Sequence, residues 1–182
     1  MKKRALILIC AAIFTAAFLC GCSGGTVSDP FTDFYGDIRV RCALNIQGED
    51  SEIVFSRSGG EMKAEFTAPK TLQGLVMSKA EEKMTFGFGD LSVPMDENAA
   101  LILCLCKEAF SPFYTEMTNI GSSETDGEKL TVIESGEFIY TFYSDGKPKN
   151  VGGVYRGRQF LIRIDSIESL QDASNEAQKG KE

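Results

Sequence analysis

The sequence has no histidine, and this absence excludes most of the chemistry that common hydrolases use. Without an imidazole, the chain can form neither a Ser-His-Asp or Cys-His arrangement nor an HExxH zinc site. It also lacks the one side chain that normally titrates near neutral pH. What remains is chemistry by carboxylate, lysine, cysteine or a Ser-Lys pair, or binding without catalysis.

Long hydrophobic runs are scarce as well. The longest, residues 5–20, has Thr15 as its only polar side chain and follows a basic start at residues 1–4. A helix that spans a bilayer needs about 20 apolar residues, so this run is short for a span. A basic start, a short apolar run and small residues after it are instead typical of a secretory signal.

The end of this run, Leu19-Cys20-Gly21-Cys22, resembles the lipobox of bacterial lipoproteins. The resemblance implies cleavage after the glycine and lipidation of Cys22, with palmitate among the acyl groups. Cys20 fits less well, because bulky residues precede it. We therefore expect residues 1–21 to be a lipoprotein signal peptide. An ordinary signal peptide and an uncleaved anchor are the alternatives.

A lipidated protein of this kind is held at the extracytoplasmic face of the cell membrane, or at the outer membrane of a two-membrane cell. Acidic residues outnumber basic ones by 26 to 19, and the net charge is −7. Removal of residues 1–21 takes away three basic residues and no acid, which makes the charge −10. Because an acidic domain is repelled by nucleic acids and anionic head groups, we expect no nucleic-acid partner. Membrane contact should come from the N-terminal acyl chains.

Composition divides the rest of the chain into three parts. Residues 22–29 contain the lipidated cysteine and a Gly/Ser-rich flexible tether. Residues 30–167 contain most of the 13 phenylalanines and are predicted to form one folded domain. Residues 168–182 are polar and predict a disordered tail.

Alternation of apolar and polar residues predicts several β-strands. It is clearest at residues 38–47, where five apolar side chains fall on one face. Further strands, separated by turn residues, are predicted at residues 52–57, 62–66, 72–78, 84–88, 129–134, 138–143, 149–155 and 158–167.

The pattern changes to that of a helix at residues 96–110. Acidic residues stand at its start, Lys107 lies near its end, and Pro112 follows, as is typical of helix boundaries. Residues 99–106 are apolar on every side, so this helix must be covered on two sides, or be covered on one side and face a bound molecule. An antiparallel sheet with this helix on one face is an α+β fold.

This order of elements resembles the LolA/LolB-like lipoprotein-carrier superfamily. The resemblance lies in residues 62–75, where a strand ends in a turn led by Pro69, and in the mid-chain helix and the strands after it. It implies a curved antiparallel half-barrel with the apolar helix packed on its concave face. It also implies a non-enzymatic protein that binds an acyl chain or another hydrophobic ligand. The chain departs from the family before the first strand, where only residues 30–36 replace a substantial helix.

In such a fold, the ligand would lie against apolar side chains of the concave face. The candidate lining residues are Val40, Leu44, Phe66, Leu101, Leu105, Phe110 and Phe113. Other aromatic residues that could line the same cavity are Phe31, Phe34, Tyr35, Phe86, Phe88 and Tyr114. The alternative is that these rings fill the core. The protein would then be an interaction module that docks a partner in the envelope or in spore formation.

Three cysteines remain after lipidation. Cys42 lies on the apolar face of the first strand, and Cys104 and Cys106 lie on the helix, about 200° apart around its axis. A disulfide from Cys42 to one of the helical pair would be compatible with an extracytoplasmic location. Three buried free thiols are the preferred alternative. A Cys₃ metal site is disfavoured because no histidine completes it.

The remaining motifs predict no catalytic residue, metal site or cofactor. Ser144 and Lys147 match S-x-x-K, but they lie in a hairpin turn rather than on a helix. The acidic pairs at residues 81–82 and 96–97 stand at a turn and at a helix start, where carboxylates are expected for structural reasons. We therefore expect a binding protein rather than an enzyme.

Overall fold

The computed structural model describes residues 29–111, 117–125 and 127–170. The predicted signal peptide, the predicted lipidation site Cys22 and most of the predicted tether lie outside these residues. So do the candidate lining residue Phe113 and residues 171–182.

Eleven antiparallel strands form one sheet. They are β1 (Ile38–Ile46), β2 (Glu49–Ser58), β3 (Glu61–Ala68), β4 (Leu75–Ala80), β5 (Lys83–Phe88), β6 (Leu91–Pro94), β7 (Met117–Thr125), β8 (Glu128–Ser135), β9 (Phe138–Tyr143), β10 (Pro148–Tyr155) and β11 (Arg158–Ser169). Their order across the sheet is β6-β5-β4-β3-β2-β1-β11-β10-β9-β8-β7. Because β6 and β7 do not pair with each other in the described part of the chain, the curved sheet is open.

The first strand, β1, is central and pairs with β2 on one side and β11 on the other. Its side chains alternate as predicted, with Val40, Cys42 and Leu44 buried and Arg39 and Arg41 exposed. Paired residues lie on the same face of a sheet. The buried residues of β1 therefore identify the concave face on every other strand.

One α-helix, α1 (Leu101–Ala109), packs on this concave face. Five of its nine residues are buried, on several sides of the helix, and Lys107 and Glu108 are exposed. The structure thus confirms the predicted α+β class, a curved open antiparallel sheet with an apolar helix across it. It also explains how six consecutive apolar residues, 101–106, can be helical, since cover from the sheet replaces the usual polar face.

The helix begins later than the sequence predicts. Residues 97–100 form a turn in which the carbonyl of Asp96 accepts a hydrogen bond from the Ala100 N–H (3.1 Å). The carboxylate of Asp96 accepts another from the Ala99 N–H (2.8 Å). Asp96 therefore satisfies backbone donors ahead of the helix, as acidic residues do at helix starts.

The sequence did not predict two edge strands, β6 and β7. Strand β6 has only four residues and ends in Pro94, which a strand tolerates at the edge of a sheet because no partner needs its N–H. Strand β7 is rich in serine and threonine and lacks apolar alternation. Strand β6 is too short, and β7 too polar, to show the sustained period-two pattern on which strand prediction depends.

Several predicted strand boundaries also differ, and for two of them backbone hydrogen bonds give the reason. The strand predicted at residues 72–78 begins at Leu75, because residues 69–74 turn with hydrogen bonds from the Leu72 and Gln73 N–H groups to the Pro69 carbonyl. At the other end of the domain, β11 continues to Ser169, past the predicted start of the tail at residue 168. Pairing with β1 orders these residues, and the Leu170 N–H donates to the Asp37 carbonyl (2.9 Å).

An aromatic cluster fills one half of the concave face. The ring of Phe31 meets those of Tyr140 (4.9 Å between centroids) and Phe142 (5.2 Å) edge-on. Phe34 is the last residue of the short 3₁₀ helix Thr32–Phe34, and its ring stacks on that of Phe110 with 5.8 Å between the centroids. In this half the rings form the core, as the alternative interpretation of the aromatic residues expected.

Candidate functional site

The other half of the concave face, formed by β4, β5 and β6, is apolar but only partly covered. The register pairs Met77 with Phe86 and Phe86 with Val93, and it pairs Phe88 with Leu91. All these side chains lie on the concave face, because Met77 pairs with the buried Ala64 of β3. We call this surface the apolar trough, and it consists of Leu75, Met77, Met84, Phe86, Phe88, Leu91 and Val93.

Exposure rises along the trough towards the edge of the sheet. Phe66 of β3, beneath the helix, is 3% exposed, and Met77 of β4 is 9% exposed. Phe88 of β5 reaches 57%, and Val93 and Leu91 of β6 reach 54% and 74%. Helix α1 lies over β3, so within the described residues little covers the strands beyond it. A large apolar surface that stays exposed on the inner face of a curved sheet is typical of a binding site.

A cavity of about 430 Å³ opens at the end of the trough where α1 begins. We call it the mouth cavity. Its apolar lining consists of Ile46, Phe66, Leu72, Met77, Ala99, Leu101 and Ile102, and its polar lining of Gln47, Glu49, Asp50, Ser51 and Arg158. This volume falls within the range of about 300–1,000 Å³ that is usual for small-molecule sites. Met77 belongs to both the trough and the mouth cavity, so the two surfaces join.

The predicted lining residues separate into two groups. Phe66 and Leu101 line the mouth cavity. Val40, Leu44, Leu105 and Phe110 are buried in the core. Leu105 borders a crevice too narrow for a water molecule.

Prediction from the sequence missed most of the trough. The outer residues of the trough belong to the hairpin of β5 and β6, which turns at Gly89 and Asp90. A Gly-Asp pair between two apolar residues is a hairpin signal. That signal would have predicted β6. It would also have placed Leu91 beside Phe88, a residue the sequence offered only as one of several candidate aromatics.

Arg57, on β2, links the segments that cover the filled half of the sheet. Its guanidinium donates hydrogen bonds to the carbonyls of Phe34 (2.6 Å), Gly36 (3.1 Å) and Phe110 (3.1 Å), and to the Ser111 hydroxyl (2.5 Å). Burial lowers the pKa of Arg57, and the negative charge of Asp37 opposes that change. The side chain stays charged, because an arginine does not lose its proton in a protein. It therefore holds both the 3₁₀ helix and the C-terminal end of α1 against the sheet.

The structure describes three cysteines, Cys42, Cys104 and Cys106. All three are buried free thiols, and no disulfide forms among the described residues. Burial, with a smaller effect of Asp165, raises the pKa of Cys42 to about 12. Burial also raises the pKa of Cys104 and, more strongly, that of Cys106. Because the thiolate is the reactive form, these thiols are inert at neutral pH.

The described residues contain no group of three side chains suited to hold a metal ion. Within those residues, no helix has the length and apolar character needed to cross a bilayer.

No family model matches the chain, and no curated protein matches it in sequence. An uncharacterized conserved protein from Thermus thermophilus is similar in structure, with a TM-score of 0.47 and 8% identity over 81% of this chain and 88% of that one. LprF from Mycobacterium bovis gives a TM-score of 0.42 and 11% identity, over 76% of this chain and 89% of that one. A LolA-superfamily protein from Nitrosomonas europaea gives a TM-score of 0.39 and 9% identity, over 74% and 86%.

The similar structures thus include a member of the superfamily that the sequence resembles.

Proposed function

We propose that this protein is a membrane-anchored extracytoplasmic lipoprotein that binds a lipid acyl chain or another hydrophobic ligand without catalysis. The ligand would lie in the apolar trough and reach the mouth cavity. The observation that supports this proposal is the position of Phe88, Leu91 and Val93. They are large apolar side chains, more than half exposed, on the inner face of a curved sheet next to a cavity.

The physical reason is the cost of leaving that surface in water. Burying apolar surface is favourable by about 25 cal/mol per Å², and complete burial of a leucine or phenylalanine side chain by about 1.5–3 kcal/mol. An apolar chain laid along β4–β6 would cover all three exposed side chains at once. A non-directional contact of this kind fits an acyl chain, which has no polar groups to satisfy.

Native mass spectrometry tests the ligand. The mature chain without its lipid, residues 23–182, is purified from cells, its mass is recorded without denaturation, and bound lipids are extracted and identified. We expect co-purifying lipid, and we expect a Leu91→Ser/Val93→Ser variant to lose most of it. The matched control is Leu161→Ser, because Leu161 is 49% exposed on the opposite face. Wild-type protein that carries no lipid and binds none from vesicles would refute hydrophobic ligand binding.

The anchor is tested separately. Cells that express the full chain are fed a fatty-acid analogue that can be detected after gel separation. We expect label in the wild-type protein and in Cys20→Ala, and none in Cys22→Ala. Label that persists in Cys22→Ala would place the lipid on another residue.

A second candidate function is that of an envelope or sporulation module that docks a partner protein. The aromatic cluster around Tyr140 supports it, because the rings there contact one another and are buried. The exposed edge of β6 could then pair with a strand of the partner. This candidate predicts lipid-free protein in native mass spectrometry and cross-links from β6 to a specific envelope protein.

A further inference from the structure

The concave face presents two opposite charges beside the mouth cavity. Glu49 of β2 pairs with Ile46 of β1, and Ile46 pairs with Phe160 of β11. Arg158 lies two residues before Phe160 and therefore on the same face. A carboxylate and a guanidinium thus stand on either side of Ile46, and both line the mouth cavity.

Glu49 and Arg158 lie on β2 and β11, the two strands that flank β1, and Arg158 is two residues along β11 from the Phe160 that pairs with Ile46. In the described part of the chain, neither Glu49 nor Arg158 has a salt bridge or side-chain hydrogen bond. The third charge at the cavity, Asp50, is already engaged, because its carboxylate accepts a hydrogen bond from the Asn45 side chain (2.7 Å).

We propose that the mouth cavity binds the zwitterionic head group of a phospholipid, with the phosphate on Arg158 and the amine on Glu49. This inference rests on the proposed binding of an acyl chain in the trough. The guanidinium suits the phosphate, because its planar fork can donate two parallel hydrogen bonds to phosphate oxygens. The carboxylate of Glu49 then meets the ammonium group on the other side of Ile46.

Charge balance distinguishes this head group from others. An anionic head group without an amine would gain from Arg158 but would lie beside Glu49 and Asp50 in a strongly acidic protein. A cationic amphiphile would be repelled by the positive charge of Arg158. A head group with both charges satisfies both side chains, and it is continuous with an acyl chain that the adjoining trough can cover.

Photo-cross-linking in vesicles tests this inference on the full chain. Three vesicle preparations each contain one lipid with the same diazirine-bearing acyl chain, namely phosphatidylethanolamine, phosphatidylglycerol or diacylglycerol. Cross-links are counted in the tryptic peptide 84–107, which contains most of β5, all of β6 and residues 101–107 of α1. We expect phosphatidylethanolamine to label this peptide roughly threefold more than either other lipid, since exposed charge contacts contribute modestly.

Variants assign the two charges. Arg158→Gln should lower phosphatidylethanolamine labelling to the level of diacylglycerol. Glu49→Gln should raise phosphatidylglycerol labelling to the level of phosphatidylethanolamine. The exchange Glu49→Arg/Arg158→Glu keeps both charges at the cavity and should retain the preference. Matched controls on the opposite face are Glu52→Gln and Arg163→Gln, which should leave it unchanged.

The outcomes separate this inference from the proposed function. Equal labelling by all three lipids, or a preference for phosphatidylglycerol, overturns the head-group site and leaves acyl-chain binding intact. No lipid labelling of peptide 84–107 above the rest of the protein overturns both. A calorimetric titration with glycerophosphoethanolamine, which has the same zwitterionic phosphodiester without acyl chains, should show no binding at the lipid concentration used. Binding there would assign the cavity to a soluble ligand and overturn the lipid proposal.

Discussion

At the scale of single residues, Arg57 joins three parts of the molecule through one side chain. It extends from β2 to the 3₁₀ helix at Phe34 and to the end of α1 at Phe110. A cation at the C-terminus of a helix also interacts favourably with the helix dipole. The two segments that cover the filled half of the sheet therefore depend on one guanidinium.

Replacing Arg57 with methionine should lower the free energy of unfolding by about 2–3 kcal/mol. Hydrogen bonds from a charged donor contribute about 1.5–3 kcal/mol, and half-buried carbonyls would lose their donor. The urea midpoint measures the change. Arg41→Met is the matched control, because Arg41 is exposed on β1, and it should stay within about 0.5 kcal/mol of wild type. An unchanged midpoint for Arg57→Met would show that the hydrogen bonds do not stabilise the fold.

The buried thiols predict how stability depends on pH. An unfolded cysteine has a pKa of about 8.5, whereas the folded pKa of Cys42 is about 12. Above pH 8.5 the unfolded chain therefore releases a proton that the folded chain keeps, and stability falls as pH rises towards 12. Between pH 8.5 and 10 this thiol should cost about 2 kcal/mol. Urea midpoints at pH 7, 8.5 and 10 measure the slope, which should become shallower in Cys42→Ala.

At the scale of elements, α1 has one face in the core and one at the mouth cavity. Leu105 is fully buried, whereas Leu101 is partly exposed and lines the cavity. Leu105→Ala should therefore cost about 2–5 kcal/mol through lost contacts and a new void. Leu101→Ala should cost about 1 kcal/mol and widen the mouth cavity. Urea denaturation compares the two, and equal losses would mean that Leu101 is part of the core.

Sequence patterns predicted the elements whose pattern is local. Strand β1 alternates strictly, and α1 has a long apolar run with charged ends, so both were found. Strand β6 was not predicted, because its four residues, which end in Pro94, are too few to show a periodic pattern. The class and order of the central elements were thus predictable, while the edges were not.

The candidate site was harder to predict, because it depends on pairing between strands. The trough consists of residues from three strands, and their shared face follows only from the register of Met77, Phe86 and Val93. The opposite charges at residues 49 and 158 are over a hundred positions apart in the sequence. Hydrophobicity identified Leu101 and Phe66 as lining residues, but it could not separate them from core residues such as Val40.

At the scale of the whole molecule, the sheet has one densely packed half and one open half. Strands β8–β11 and β1–β3 lie under the aromatic cluster and α1, whereas β4–β6 present the trough. The open half has fewer buried apolar contacts, and such regions open at lower free energy. A ligand that binds only the folded trough stabilises that half by mass action.

Hydrogen exchange, measured by mass spectrometry, should therefore be faster in the open half of the sheet than in the packed half. Peptides from β1 and β11 should exchange slowest, and peptides from β5 and β6 fastest among the strands. Phospholipid vesicles should slow exchange in β4–β6 and leave β8–β10 unchanged, because only the first group touches the proposed ligand. Leu91→Ser/Val93→Ser should abolish this protection, while Leu161→Ser keeps it. Protection that appears equally in both halves would indicate that the sheet opens as one unit, and protection confined to β7 and β8 would place the ligand at the opposite edge.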